Sequence, residues 1–398
     1  MQALRHFVLT GMLLAGATVT LFAVPRVTRL TPPSSLFSFR DPQPPIIARF
    51  LPGQRFDLQA TISPDTGQTI VGVKFYVDDI EVPGSITLVR TTVSGQPANS
   101  VVASLRAYEN LTPGVHRLIV SATQLPNGLS VVATGNFEIV PMTATGLPKA
   151  KNIIVMIGDG MGVGHRVAAR FMLNGVSQGK ALAPLAMDTF PVTGFVQTCS
   201  LNAIVTDSSP GAACYSTGNK NDNNEEGVFP DDTTDAFDNP RIENMGEYLA
   251  RTQGKSLGIV TTADVFDATP GAWGVHTQNR SAGTGICDQF LDEAAVKANL
   301  VVLLGGGRKW FLPSTTAGSA RTTATDYILP ADLSAAWRVA SGAVDPTRDL
   351  LGDFQRAGFT YTANATQLQA IPDTTARLLG LFSLGNMNVA ADKIDGRR

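Results

Sequence analysis

The sequence predicts an α/β domain on a mainly parallel sheet flanked by helices, preceded by a small all-β sandwich. Three observations carry this. From Lys151 onward, apolar β-branched runs alternate with runs of helical period. Between residues 46 and 141 the chain instead gives short alternating segments divided by turn residues. Stretches rich in Pro, Ser or Gly separate these regions.

At the N-terminus, Arg5 precedes the apolar run Phe7–Val24, which Pro25 and Arg26 end. A positive flank before an apolar core is the pattern of an export signal, assigned to residues 1–24. The run is also long enough to stay as a membrane anchor. The expected location is periplasmic or extracellular, released or anchored. Residues 25–45 read as a linker. Residues 46–141 hold FDLQATI, VGVKFYV, SVVASLRAY, HRLIVSAT and SVVATGNFEIV, separated by PDTG, VPGS, NLTPGV and PNG. That spacing suggests an Ig-like sandwich. His116 is expected as a surface strand residue, and the partner of this domain is left open. Residues 142–150 form a second linker.

Residues 151–398 carry the α/β pattern. KNIIVMIGDGMG reads as a buried strand ending in a Gly-rich loop, and ENMGEYLARTQG as a helix with a Gly stop. KSLGIVTTAD is a strand, CDQFLDEAAVKA a helix and NLVVLLGGG a strand. Hydrophobic residues make up 43% and charged residues 16% of the 398, a globular composition. The net charge of −2, with no basic cluster, argues against a nucleic-acid partner. Cys199, Cys214 and Cys287 match no zinc spacing, allow at most one internal disulfide, and are expected as buried small residues.

Three stretches could carry chemistry. Asp159 follows IIVMIG, at the carboxyl end of a strand, where ligands bind in open α/β sheets. Taken alone, Asp-Gly is commonly just a turn. In IVTDSSPGAACYSTGNK, Pro210 suits the first position of a helix, and Ser208 or Ser209 its N-cap. A hydroxyl there meets free backbone N–H groups and the positive end of the helix dipole, a setting for phosphate or sulfate. A serine hydroxyl needs activation. The G-x-S-x-G elbow and a Ser-His-Asp order are absent, which leaves a metal ion as the common activator. In VFDATPGAWGVHTQNR, Asp267 and Thr269 point the same way if the segment is extended, and would suit magnesium. Pro270 then opens a helix with His276 and Arg280 on one face, and the guanidinium can clamp phosphate oxygens.

Together the three ordered stretches resemble the alkaline phosphatase family, from about Asn152 to Pro313. The resemblance implies an alkaline-phosphatase-like sheet and a two-step phosphoryl transfer through a phosphoserine on Ser208, which directly follows Asp207. It implies Asp159 on a zinc and on the magnesium, Asp267 and Thr269 on the magnesium, Ser208 at the metal, and Arg280 on the substrate phosphate. Zinc and magnesium are the implied cofactors, small phosphate monoesters the substrates, and a homodimer the assembly. The sequence departs from the family at Pro210 and Ala213. The family's zinc ligands come largely from its C-terminal half. Here the histidines are His6, His116, His165 and His276. The sequence therefore predicts a truncated catalytic domain with weak zinc binding and slow or absent turnover. The alternatives are a phosphodiesterase of the same superfamily and a non-catalytic secreted binding protein with a remnant phosphatase domain. A sulfatase is disfavoured because Cys-x-Pro-x-Arg is absent.

Overall fold

The computed structural model describes residues 23–34, 46–89, 93–142, 150–394 and 396. The expected export signal falls almost wholly outside the described residues, as do 35–45 and 143–149 of the expected linkers.

Nine strands form two sheets around one core. They are β1 (Arg26–Thr31), β2 (Arg49–Phe50), β3 (Phe56–Ser63), β4 (Thr69–Val77), β5 (Ile80–Glu81), β6 (Thr87–Val89), β7 (Val101–Tyr108), β8 (Gly114–Leu125) and β9 (Ser130–Ile139). One sheet runs β1-β3-β7-β6 and the other β2-β9-β8-β4-β5. All neighbours are antiparallel except β2 and β9. The first strand corrects the expected linker at 25–45. Val27 and Leu30 are three apart, which would normally put them on opposite faces of a strand. A register shift between Val27 and Arg29 turns both into the core. His116 is also not a surface residue. It is buried, stacks on Phe137 at 5.3 Å, and bonds Asp78 and the Thr112 carbonyl.

Strand β3 is buried at every position. Phe56, Leu58, Ala60 and Ile62 face the sandwich core. Of the alternate positions, Asp57 and Gln59 bond groups of the α/β part, Gln59 Nε2 reaching Asp231 Oδ2 at 3.2 Å. Asp57 is 0% exposed and accepts four hydrogen bonds. Two come from the sandwich, Arg106 Nη1 at 2.9 Å and Ala107 N at 2.7 Å. Two come from the α/β part, Arg241 N at 3.0 Å and Trp337 Nε1 at 2.9 Å. Arg106 continues to Asp332 and to the Asp238 carbonyl. Phe229 and Ile242 from the α/β part complete the sandwich core.

The α/β part holds a parallel sheet of β10 (Leu257–Asp264), β11 (Leu300–Gly306), β12 (Thr360–Thr362) and β13 (Leu378–Leu381), ordered β10-β11-β13-β12. Its helices include α1 (Val163–Asn174), α2 (Ser208–Thr217), α3 (Met245–Gln253), the short α4 (Ala268–Gly271) and α5 (Gly283–Gln289). Asn244 caps α3 and Glu247 returns the bond, while Gly254 ends it in the left-handed region at φ +64°, as the Gly stop predicts. Helix α5 passes through a π turn at Phe290–Ala294 before ending near Lys297. Phe290, Leu303, Phe311, Phe354 and Leu379 are among the residues of a second core.

One expected strand is absent. Residues 152–157 belong to no strand, and Ile154 is 86% and Met156 89% exposed. The stretch runs beside the free edge of β10 and leaves a cleft of 650 Å³, with Ile153 and Val155 on one wall and Leu257 and Ile259 on the other. A continuous apolar run reports a need for cover on both faces, and among the described residues no layer supplies it on this side.

Two predictions follow from the interface. Asp57→Ala leaves Arg106 without its most buried partner and should destabilise the chain by roughly 3 kcal/mol or more, measured by chemical denaturation. Burial, and then the neighbouring Asp231 carboxylate, push Asp238 up to about 7. A folded-state value above the unfolded one favours the native state at low pH, and that contribution is lost as pH rises through about 7. Asp238→Asn should therefore flatten the fall in melting temperature between about pH 4 and pH 7.

Candidate active site

Asp207 caps α2, its carboxylate accepting from Ser209 N at 2.7 Å. The helix therefore starts at Ser208, not at Pro210. Neither serine caps it, because the carboxylate of Asp207 outcompetes their hydroxyls for the free N–H. Capping by Asp207 leaves the Ser208 hydroxyl free. It donates to Asp159 Oδ1 at 3.3 Å. The other oxygen of Asp159 accepts from Thr269 Oγ1 at 2.8 Å. Asp159 sits in the loop before α1, so three separated segments meet on one carboxylate.

The Asp267–Arg280 stretch departs from its expected conformation. Asp267 caps α4, bonding Ala268 N at 2.8 Å, and the helix ends at Gly271. Thr269 thus lies on a helix rather than beside Asp267 on an extended segment. His276 and Arg280 share no helix face. His276 is buried, bonds the Gly227 carbonyl at 2.8 Å and faces Glu247 at 3.3 Å. Arg280 still reaches the site. Its Nη2 pairs with Asp267 at 2.6 Å and its Nη1 lies 3.6 Å from Asp207. The backbone N–H of Arg280 donates to the Asn224 carbonyl, and Asn224 N donates to Asp207.

Ser208, Asp159, Thr269, Asp267 and Arg280 are thus brought together, and Asp207 and Glu226 join them. Glu226 is buried, and Ser209 Oγ donates to it at 3.4 Å, while its second oxygen has no partner. Burial pushes its carboxyl well above the usual carboxylate range. A Cβ on Gly271 would lie 2.5 Å from that oxygen, so only glycine lets α4 approach so closely. Nothing in the NDNNEEGVF run marks Glu226 beforehand, because its environment comes from two helices distant in sequence.

Asp159, Asp207 and Asp267 oppose one guanidinium, so the site favours a cation. Carboxylate and hydroxyl oxygens are donors that suit magnesium. No imidazole or thiol among the described residues joins them. His165 is exposed on α1, where its Nδ1 accepts from Gly162 N. Asp288, Asp326 and Asp345 bring carboxylate oxygens within 4.8 Å of one another elsewhere in the fold. The fully buried Arg321 forks onto both oxygens of Asp288 at 2.8 Å and also reaches Asp345, and Arg348 Nη1 lies 3.5 Å from Asp288. Two guanidinium groups therefore already balance much of that charge.

The sandwich grips the far end of α2. Gln54 Nε2 donates to the carbonyls of Thr217 and Glu243, and Asn219 exchanges two bonds with the backbone of Arg49. Gly218 closes the helix at φ +78° between those contacts.

A sequence model of the alkaline phosphatase family matches residues 150–396. The chain is 30% identical over 262 residues to the alkaline phosphatase of Escherichia coli, covering 60% of this chain and 48% of that protein. It is 28% identical over 276 residues to alkaline phosphatase 4 of Bacillus subtilis, covering 67% of this chain and 50% of that one. It is 34% identical over 182 residues to the tissue-nonspecific isozyme of Gallus gallus, covering 42% of this chain and 35% of that one. A solved cold-active phosphatase from Shewanella overlays 58% of this chain and 46% of its own at a TM-score of 0.41 and 24% identity. The chain spans about half the length, or less, of these curated relatives. The family match covers well over half of the chain, and the chain belongs to the alkaline phosphatase family.

Proposed function

We infer that this site serves metal-dependent hydrolysis of phosphate monoesters, with Ser208 as the nucleophile that carries the phosphoryl group. The supporting observation is the convergence of Ser208 Oγ and Thr269 Oγ1 on Asp159, at the N-terminus of α2. A serine at that position attacks phosphorus while the positive end of the helix dipole meets the phosphate charge. Asp159 orients the Ser208 hydroxyl by accepting its proton in a hydrogen bond. Arg280, held between Asp267 and Asp207, is placed to fork onto two phosphate oxygens.

Three carboxylates would repel a phosphate dianion unless a cation sat among them. Asp159, Asp267, Thr269 and Ser208 are the residues that would hold magnesium. When bound, it supplies charge neutralisation and lowers the pKa of the hydroxyl. The family resemblance implies zinc as well, but no nitrogen or sulfur donor among the described residues joins this set. No step here rests on zinc.

The same reading takes the protein as exported, acting on small substrates, as a homodimer, with the nine-stranded sandwich as an Ig-like module. Among the described residues no helix is long and apolar enough to cross a membrane.

The test is hydrolysis of a chromogenic phosphate monoester by the purified chain with magnesium, alongside Ser208→Ala. Turnover should fall by at least about 1,000-fold in the variant, and the phosphorylated serine should disappear from its peptide map. Turnover that survives Ser208→Ala would remove the nucleophile from this reading. Preference for diesters would favour the phosphodiesterase alternative. Arg280→Ala should raise KM more than it lowers kcat if the guanidinium binds phosphate in the ground state.

A further inference from the structure

The family motif at 204–220 ends in Lys220, which has no place in the phosphoryl chemistry. Its amine instead sits on Cys199. Lys220 Nζ lies 2.9 Å from Cys199 Sγ and also contacts the Cys199 carbonyl. Both are partly buried, contrary to the expectation that all three cysteines are buried, which holds for Cys287. The pair is held from both sides. Leu201 N donates to the Asn221 carbonyl at 2.9 Å, and Asn223 N to Asn202 Oδ1 at 3.0 Å. Ala203 N donates to Ser200 Oγ at 3.0 Å. Residues 199–203 are thus zipped against 219–223, with thiol and amine facing each other across the seam.

The geometry points to Cys199 and Lys220 as an oxidative cross-linking site that takes a hydroperoxide and closes a covalent sulfur–nitrogen bond. The Cys199 thiolate attacks a peroxide oxygen, so an S–O bond forms, the O–O bond breaks and hydroxide leaves. Sulfur loses two electrons and the peroxide gains them. That hydroxide takes a proton from the Lys220 ammonium. The free amine then attacks the sulfenic sulfur. The S–N bond forms as the S–O bond breaks, and the second amine proton leaves with that oxygen as water. Sulfenic acids are known to condense with nitrogen in this way. The hydrogen bond from Lys220 holds the Cys199 thiol below its usual range, which favours the reactive thiolate. Burial holds the neighbouring Cys214 thiol above its own, which keeps it a poor competitor. The loop so closed contains the whole of α2 and Ser208. The assignment stands whether or not Ser208 proves catalytic.

The experiment treats the purified full chain with hydrogen peroxide, digests it with trypsin and maps the peptides. Trypsin releases residues 181–220 from the untreated chain, and this peptide holds both Cys199 and Cys214. The cross-link should block cleavage after Lys220. A peptide of residues 181–241 should appear, lighter by two hydrogen atoms; a thiol reductant should open its sulfur–nitrogen bond, and a second trypsin digestion should then split it after Lys220. Cys214→Ser should keep this product, and Lys220→Arg should lose it and send Cys199 on to sulfinic acid. Normal cleavage after Lys220 with Cys199 as sulfinic or sulfonic acid would overturn the assignment. So would a peptide of residues 181–220 carrying a Cys199–Cys214 disulfide.

Discussion

The carboxylate of Asp57 decides how the two halves of this chain meet. It sits on a strand with no exposed residue and takes four hydrogen bonds, two from each side of the interface. A buried carboxylate is tolerated only when its oxygens are satisfied and a cation is near. Arg106 supplies the cation, and Arg106 in turn needs Asp332 and the Asp238 carbonyl. Each of these groups would be costly to bury alone. The polar face of the sandwich is therefore shaped to one neighbour, and the two halves stand or fall together. The buried pair of Arg241 and Glu293 carries the same logic deeper into the α/β part.

That interface reaches the candidate site through α2. The helix begins at the Asp207 cap, which frees Ser208 to face Asp159, and ends at Gly218, where Gln54 and Asn219 tie it to the sandwich. Its far end is thus fixed by side-chain-to-backbone bonds to the sandwich. Its near end is crowded by carboxylates against a single guanidinium. The placement of the hydroxyl comes from a rigid frame, and the charge around it calls for a cation that the frame itself lacks.

Much of this was legible in the sequence, for reasons that differ by element. Strands β10 and β11 and helix α3 followed from periodicity, caps and the glycine stop, because those signals are local. The five proposed site residues were found from three short stretches, and they do meet. Their local geometry was read less well. Asp207 took the cap that a serine was expected to hold, and Asp267 caps a helix where an extended segment was expected. The stretch at 152–157 misled, because a continuous apolar run announces a buried strand without naming its partner. Asp57 and Trp337 are 280 positions apart, and no periodicity links them. Strand β1 was hidden in a Pro-rich region because a bulge breaks its alternation.

The open edge of β10 bears on how the protein behaves in bulk solution. The stretch at 152–157 lies beside that edge, and Phe195 at 97% exposure and Ile204 at 92% add further oily groups to the surface of the α/β part. A net charge of −2 gives little repulsion to oppose contact between such flanks. In light-scattering terms such exposed apolar groups drive the second virial coefficient negative. Colloidal behaviour would follow the oily flank far more than ionic strength or distance from the isoelectric point.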